Sequence, residues 1–250
     1  MVMVVAFIAT AVLAIVLIVA AGIDALRGTP RSRWLSFAGG MAIGYVFLRL
    51  LPELTHAQQK VREHHTLSTW LEEHLLFLVA LVGAALVFGI ERAAKGTRQM
   101  RPGAGGRAAE ERAANWVFWL HMGVMAVYTA LIGYLLFDEG KQTVTAVAVL
   151  GIVMATHFSG IAVGLERDYR SLYAMRGRWI LAASTVAGAL VGYATELPDF
   201  AFHLLLGVLA GVVIFNVIKE EIPPDQQSRF WAVALGIVAT TTLLWAVAGM

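Results

Sequence analysis

Apolar residues run along this chain in long stretches, and short segments between them collect most of the charge. Eight stretches read as helices: Val2–Ile23, Leu35–Leu51, Leu71–Ile90, Trp116–Phe137, Val144–Leu165, Trp179–Ala194, Phe200–Ile218 and Phe230–Ala248. An α-helix rises about 1.5 Å per residue, so about 20 apolar residues cross the hydrocarbon of a bilayer. Each stretch is close to that length and reads as one membrane span. The first has no basic residues before it and is too long for the core of a secretory signal, so it reads as a retained helix.

The charges test this count. Eight spans put both termini on one side and give the four odd-numbered loops to the other. Those loops carry Arg27, Arg31 and Arg33; six basic residues between Arg92 and Arg112; Arg167, Arg170, Arg176 and Arg178; and Lys219 and Arg229. That is 15 basic residues against three on the other side, Lys60, Arg62 and Lys141, with Arg49 inside the second span. Cytoplasmic loops are enriched in Lys and Arg, so the termini are expected outside.

Composition agrees: 59% of residues are hydrophobic and only 14% charged. Soluble domains carry about 25% charged residues, so a water-soluble particle is excluded. The net charge of +2 gives no reason to expect nucleic acid. The chain has no cysteine, which removes disulfides, thiolate metal sites and iron–sulfur clusters. No Gly-x-Ser-x-Gly or His-Glu-x-x-His occurs, and no enzyme is expected. The chain reads as a single membrane domain, 1–250, in a bacterial-type inner (plasma) membrane. Its one long connection, 91–115, is basic and glycine-rich and is expected to be a flexible cytoplasmic loop.

Two spans resemble each other. Gly40-Met-Ala-Ile-Gly44 in the second aligns without gaps on Gly207-Val-Leu-Ala-Gly211 in the seventh, as Val46 does on Val213 and Glu53 on Glu220. The two spans run in opposite directions, the pattern of an inverted repeat in a transporter. Pairs of glycines four apart also occur at Gly160/Gly164 and Gly188/Gly192. Such spacing lets helix backbones approach closely, so spans two, five, six and seven are expected to pack tightly.

Ionisable groups within a bilayer are costly and usually face a partner or a cavity. Toward the cytoplasmic side, His121, His157 and Asn216 fall at similar depth, with Asp24, Glu166, Glu220 and Glu221 at the inner surface. Two imidazoles near carboxylates suit a borderline cation such as zinc, iron or manganese, although a pair of lone histidines is more often hydrogen-bonded structure. Ser159 lies beside His157 in sequence, and adjacent helical positions point apart, so no catalytic pair is read there. Toward the outside lie Arg49, Glu53 and His203, with His56, Glu72, Glu73, His74, Glu196 and Asp199 as a rim; His64 and His65 fall in an outer loop. Arg49 needs a carboxylate, and Glu53, four residues on, is the first choice.

The pattern resembles the ZIP (Zrt/Irt-like protein) family of metal transporters. The second span's Gly44-Tyr-Val-Phe-Leu-Arg-Leu-Leu-Pro-Glu53 is similar to that family's run ending His-Leu-Leu-Pro-Glu. His157-Phe-Ser-Gly-Ile-Ala-Val-Gly164 resembles its Pro-Glu-Gly-Leu-Ala-Ile-Gly, and Gly211 to Pro223 the close of its seventh helix. The resemblance implies an all-α, eight-span bundle arranged 3+2+3, with outside termini. It implies alternating-access transport of a divalent cation, with bilayer lipid and the metal ion as partners. A homodimer is a further expectation. His121 transfers as a metal ligand, with His157 beside it, Met125 as a soft donor, and Asn216 and Glu220 along the exit. Bound zinc is the implied ligand and no other cofactor is expected. The departures are specific: Arg49 replaces a histidine, Ser159 replaces a glutamate, and the fourth and fifth spans keep no carboxylate.

Two alternatives stand beside metal transport. A ZIP-like bundle centred on Arg49 could bind an anion, a lipid head group or a partner membrane protein. His121 and His157 could also clamp haem, which a visible spectrum would reveal. The orientation itself is testable. Ala104→Cys is expected to react with an impermeant maleimide only after the membrane is opened, and Thr66→Cys in intact cells. Reversed labelling would overturn the orientation.

Overall fold

The computed structural model describes residues 1–23, 26, 33–62, 69–99, 107–137, 143–221 and 229–248, and the side chains of 69, 94–99, 107–114, 220, 221, 247 and 248 lie outside that description. Asp24, Arg27, Arg31, His64, His65, Lys141 and Pro223, named above, lie outside the described residues.

All regular structure among the described residues is helical. In hydrocarbon every backbone polar group must be satisfied within its own segment, and apolar runs of this length do so as helices. The elements are α1 (Val2–Val19), α2 (Arg33–Tyr45), α3 (Leu51–Arg62), α4 (Thr69–Gln99), α5 (Arg107–Leu135), α6 (Val144–Leu172), α7 (Arg178–Ala194), α8 (Asp199–Glu221) and α9 (Phe230–Ala248). A π-helical turn, Val46–Leu50, joins α2 to α3 in one rod, and a second, Tyr173–Gly177, leads into α7. Among the described residues six helical runs are long and apolar enough to cross a membrane, and Phe230–Ala246 is apolar but shorter.

Helix extends further than the apolar pattern. α4 runs on to Gln99 and α5 begins at Arg107, so helix covers most of the segment expected as a flexible loop. The reason is propensity: Glu, Arg, Ala, Lys and Gln are good helix formers whether or not they are apolar. Pro102 and the glycines at 103, 105 and 106 fall outside the described residues.

The run Val144–Ala194 counts as one apolar stretch of 51 residues, yet it doubles back. Arg170 has φ 41° and ψ −112°. That conformation is strained for an arginine and costs about 1–3 kcal/mol, so the surroundings must hold it. Three residues on, buried Tyr173 donates its hydroxyl to the Leu17 carbonyl at 3.2 Å. Gly177 packs flat on that ring, where any Cβ would collide. Before the turn, Gly151 lies on Ala9; after it, Tyr193 lies against Phe7. Both contacts are near the start of α1 and Tyr173 is near its end, so α6 and α7 are antiparallel.

Parallel pairs make the closest contacts. A Cβ on Gly40 would overlap the Val233 carbonyl, and one on Gly236 the Phe37 carbonyl, which seats α2 on α9. Gly211 meets Ala80 and Gly83 meets Val208, seating α8 on α4. Gly188 meets Ala130 and Gly133 meets Thr185, seating α7 on α5. Gly44, Gly192 and Gly207 extend the same three seams. The aligned glycines of the second and seventh stretches thus do equivalent work, each against a parallel neighbour. Gly160 departs from expectation: nothing lies within 4 Å of where its Cβ would be, so it makes no close approach there. Gly164 is buried within α6.

A side chain ties α3 to α4. The amide of buried Gln58 donates to the Glu72 carbonyl and accepts from the Leu76 N–H at 2.7 Å. The Leu76 N–H and the Glu72 carbonyl are the two ends of one i→i−4 rung of α4, so Gln58 is inserted into that rung.

The outer surface is apolar. Phe7, Ile8, Leu81, Val82, Val127 and Leu235 are exposed on different helices. All seven tryptophans are exposed, and they sit near the ends of apolar runs, as at Trp70, Trp179, Trp231 and Trp245. Amphipathic rings gather in this way where hydrocarbon meets water.

The seams predict unequal costs for glycine changes. Gly188→Val is expected to destabilise by about 3 kcal/mol, the upper range for overpacking. Gly123→Ala, where a Cβ would meet nothing within 4 Å, is expected to change little. Thermal unfolding in detergent measures both, and equal effects would contradict the seam.

Candidate functional site

The direction of each helix sorts the polar groups to two ends of the bundle. α4 and α8 finish together, with Phe88 on Phe215 and Glu91 beside Lys219. α5 starts at that end and α6 finishes there. At the opposite end the first turns of α6 and α8 meet the second half of α5 around Arg49. Phe7 against Phe137 and Tyr193 brings the start of α1 to the Arg49 end, and Leu244 brings the close of α9 there.

At the Glu91 end four helices contribute to one ionic cluster. The Lys219 ammonium donates to Glu91 Oε1. The Nε2 of His121 lies 4.0 Å from the same oxygen, and its Nδ1 is 2.8 Å from the Tyr169 hydroxyl. Glu91 and His121 are buried, whereas Lys219 is about a quarter exposed. A buried carboxylate is costly without a cation, and Lys219 supplies it. Lys219 reaches because α4 and α8 are parallel and in step.

The other residues expected at this depth are not gathered on His121. His157 is buried on α6 with its ring edge-on to Tyr128 at 6.3 Å. Its Nε2, the Tyr128 hydroxyl and the Asn216 amide nitrogen have no hydrogen-bond partner among the described residues. Ser159 is structural: it accepts from Trp34 Nε1 at 3.1 Å and donates to the Thr156 carbonyl at 2.6 Å. Met125 is buried in the apolar core. Glu166 is half-buried near the end of α6, and the side chains of Glu220 and Glu221 lie outside the described residues. Among the described residues no three His, Asp or Glu side chains converge as a metal site.

At the Arg49 end lies a cavity of about 120 Å³. Tyr45, Arg49 and Glu53 give it one polar wall; Ile132, Leu135, Val149, Leu150, Met154, Phe202, Leu206, Leu209 and Leu244 are among the apolar residues of the rest. Arg49 Nη2 and Glu53 Oε2 stand 3.8 Å apart, and both side chains are about half exposed. The expected i, i+4 pairing is therefore present. Its separation exceeds the about 2.7–2.9 Å of a charge-assisted hydrogen bond, so each group keeps capacity for another partner. Arg49 sits in the π-helical turn, where the Leu51 N–H reaches back to the Val46 carbonyl. Pro52 follows and has no N–H to give the preceding turn. His203 is buried on α8 beside Phe202.

No family model matches the chain, and no curated protein does either.

Sequence reasoning found Arg49, Glu53 and His121 but missed Glu91, Lys219, Tyr169 and Tyr45. A signal was present for two of these. Glu91 and Lys219 each follow directly on the last isoleucine of an apolar run, Ile90 and Ile218. Two spans read as parallel would place such residues at one depth.

The Glu91 cluster predicts a non-additive pair. Lys219→Met removes the ammonium that answers the buried Glu91 carboxylate and is expected to cost about 3 kcal/mol. Adding Glu91→Gln is expected to recover most of that loss. Melting temperatures of both single variants and the double variant check it, and simple additivity would contradict the pairing.

Proposed function

We propose that this chain is a polytopic membrane carrier of eight spans on a ZIP-like plan, moving a small solute by alternating access. In this reading α2 with α3, α6, α7 and α9 each cross the bilayer, the run 144–194 counts as two spans, and the termini lie outside. The excess of basic residues makes the Glu91 end cytoplasmic. The equivalent seams of Gly40/Gly44 on α9 and Gly207/Gly211 on α4 support an inverted repeat.

The observation that carries the proposal is the difference between the two ends. The Arg49 end holds a cavity with charged groups at its wall. The Glu91 end is tied by an ionic cluster from α4, α5, α6 and α8. An outward-facing carrier has this arrangement, and breaking the inner tie is the natural step toward inward access.

A second reading keeps a divalent cation as cargo, and the Nε2 of buried His157, which has no hydrogen-bond partner among the described residues, favours it. That reading requires further ligands to move toward His157 during transport. The guanidinium of Arg49 along the entry route works against a dication.

Cysteine accessibility in proteoliposomes tests the carrier directly. Met154→Cys, in the cavity wall, is expected to react with an impermeant reagent from the outside. Combining Glu91→Gln with Lys219→Met leaves no lone buried charge and is expected to lower that reactivity several-fold by releasing the inner end. Unchanged reactivity would count against alternating access. Saturable uptake of zinc, manganese, iron(II) or cadmium, lost in His157→Ala, would establish the metal cargo.

A further inference from the structure

The cavity at the Arg49 end has an unusual combination of features. Two opposite full charges stand side by side at its wall, and nearly everything behind them is aliphatic. Any ligand that uses the whole cavity must satisfy both charges and then bury hydrocarbon.

This constrains the ligand class. A simple carboxylate would meet Arg49 favourably and Glu53 unfavourably. A simple amine would do the reverse, and a metal dication would be repelled by the guanidinium. A group carrying both charges on one carbon matches both residues at once. It also leaves the net charge of the site unchanged. The pair is not closed at 3.8 Å, so a ligand need not break a short hydrogen bond to enter.

Volume sets the size of the apolar part. An apolar cavity of about 150 Å³ holds one benzene ring, which has six carbons. By that scale the cavity, at about 120 Å³, takes about five carbons. Leucine, isoleucine, valine and methionine side chains fit, whereas an indole does not. The π-helical turn adds an independent observation, since such turns recur at functional sites and this one carries Arg49. Tyr45, four residues before Arg49, lines the same wall and brings a hydroxyl.

We propose that this cavity binds an aliphatic α-amino acid. Its carboxylate lies on Arg49, its ammonium on Glu53, and its side chain among Ile132, Val149, Leu206 and Leu209. Binding stands on the cavity alone; that the bound molecule is the transported one rests on the carrier reading.

The test uses the purified full chain and radiolabelled L-leucine. Saturable binding is expected, with 4-methylpentanoate and 3-methylbutylamine each competing at least about tenfold more weakly than leucine. Tenfold corresponds to about 1.4 kcal/mol, a modest value for one lost charged contact. Arg49→Gln and Glu53→Gln are each expected to weaken binding by about tenfold or more while leaving the melting temperature of the unliganded protein nearly unchanged, because both side chains are half exposed. Leu206→Trp is expected to abolish binding by filling the cavity. Absence of saturable leucine binding by folded protein would overturn the site. So would 4-methylpentanoate competing as well as leucine, which would mark an anion site only. Leucine binding without leucine uptake in proteoliposomes would overturn leucine as the cargo and uphold the site, and zinc uptake without leucine binding would overturn the site and uphold the carrier reading.

Discussion

Close approach of parallel helix backbones is the constraint on which the rest of this structure depends. Between apolar helices in hydrocarbon there is little hydrophobic drive to associate, so packing contact must hold them. Glycine makes that contact possible by removing the side chain at the seam. Three seams do this work, α2 on α9, α4 on α8 and α5 on α7, and each draws glycines from both helices. Parallel pairs keep register along their whole length. That register brings Glu91 level with Lys219 and Thr240 level with Met41, whose carbonyl accepts from the threonine hydroxyl at 3.0 Å.

The seams also decide where polar groups can survive. Charges gather at the two ends, and the middle of the bundle is left to apolar and small residues with a few buried polar side chains. Thr129 and Thr185 both donate to the Leu181 carbonyl, which closes their hydrogen-bonding needs locally. The ionic cluster at the Glu91 end and the charged cavity wall at the Arg49 end solve opposite problems. The first neutralises a buried carboxylate with a lysine from a parallel helix. The second leaves two charges near each other and half exposed, which keeps them available.

Legibility differed between fold and site for a physical reason. A helical fold can be read locally, because apolar length and the absence of breakers already dictate it. Arg49 and Glu53 were legible for the same reason, lying one turn apart on one helix. The ionic cluster was not, since Glu91, Lys219, His121 and Tyr169 come from four helices and meet only after packing. His121, a metal-ligand candidate by sequence, lies 4.0 Å from Glu91 and 2.8 Å from the Tyr169 hydroxyl. Glycine spacing within one helix signalled Gly188 and Gly211 but missed Gly83, Gly133 and Gly236, which lack a nearby partner glycine on the same face. It also over-read Gly160, whose spacing is right but which faces open space.

The sequence by itself determined that the chain is helical, largely apolar on its outer surface and unsuited to water. Those properties follow from residue-by-residue transfer energies and from backbone hydrogen bonding within each segment. Only the tertiary structure decided that the turn between the fifth and sixth stretches falls at Arg170, that Lys219 answers Glu91, and that Arg49 and Glu53 border a cavity. Each of those depends on which helices lie side by side and in which register. Such choices are made by contacts between residues far apart in the chain.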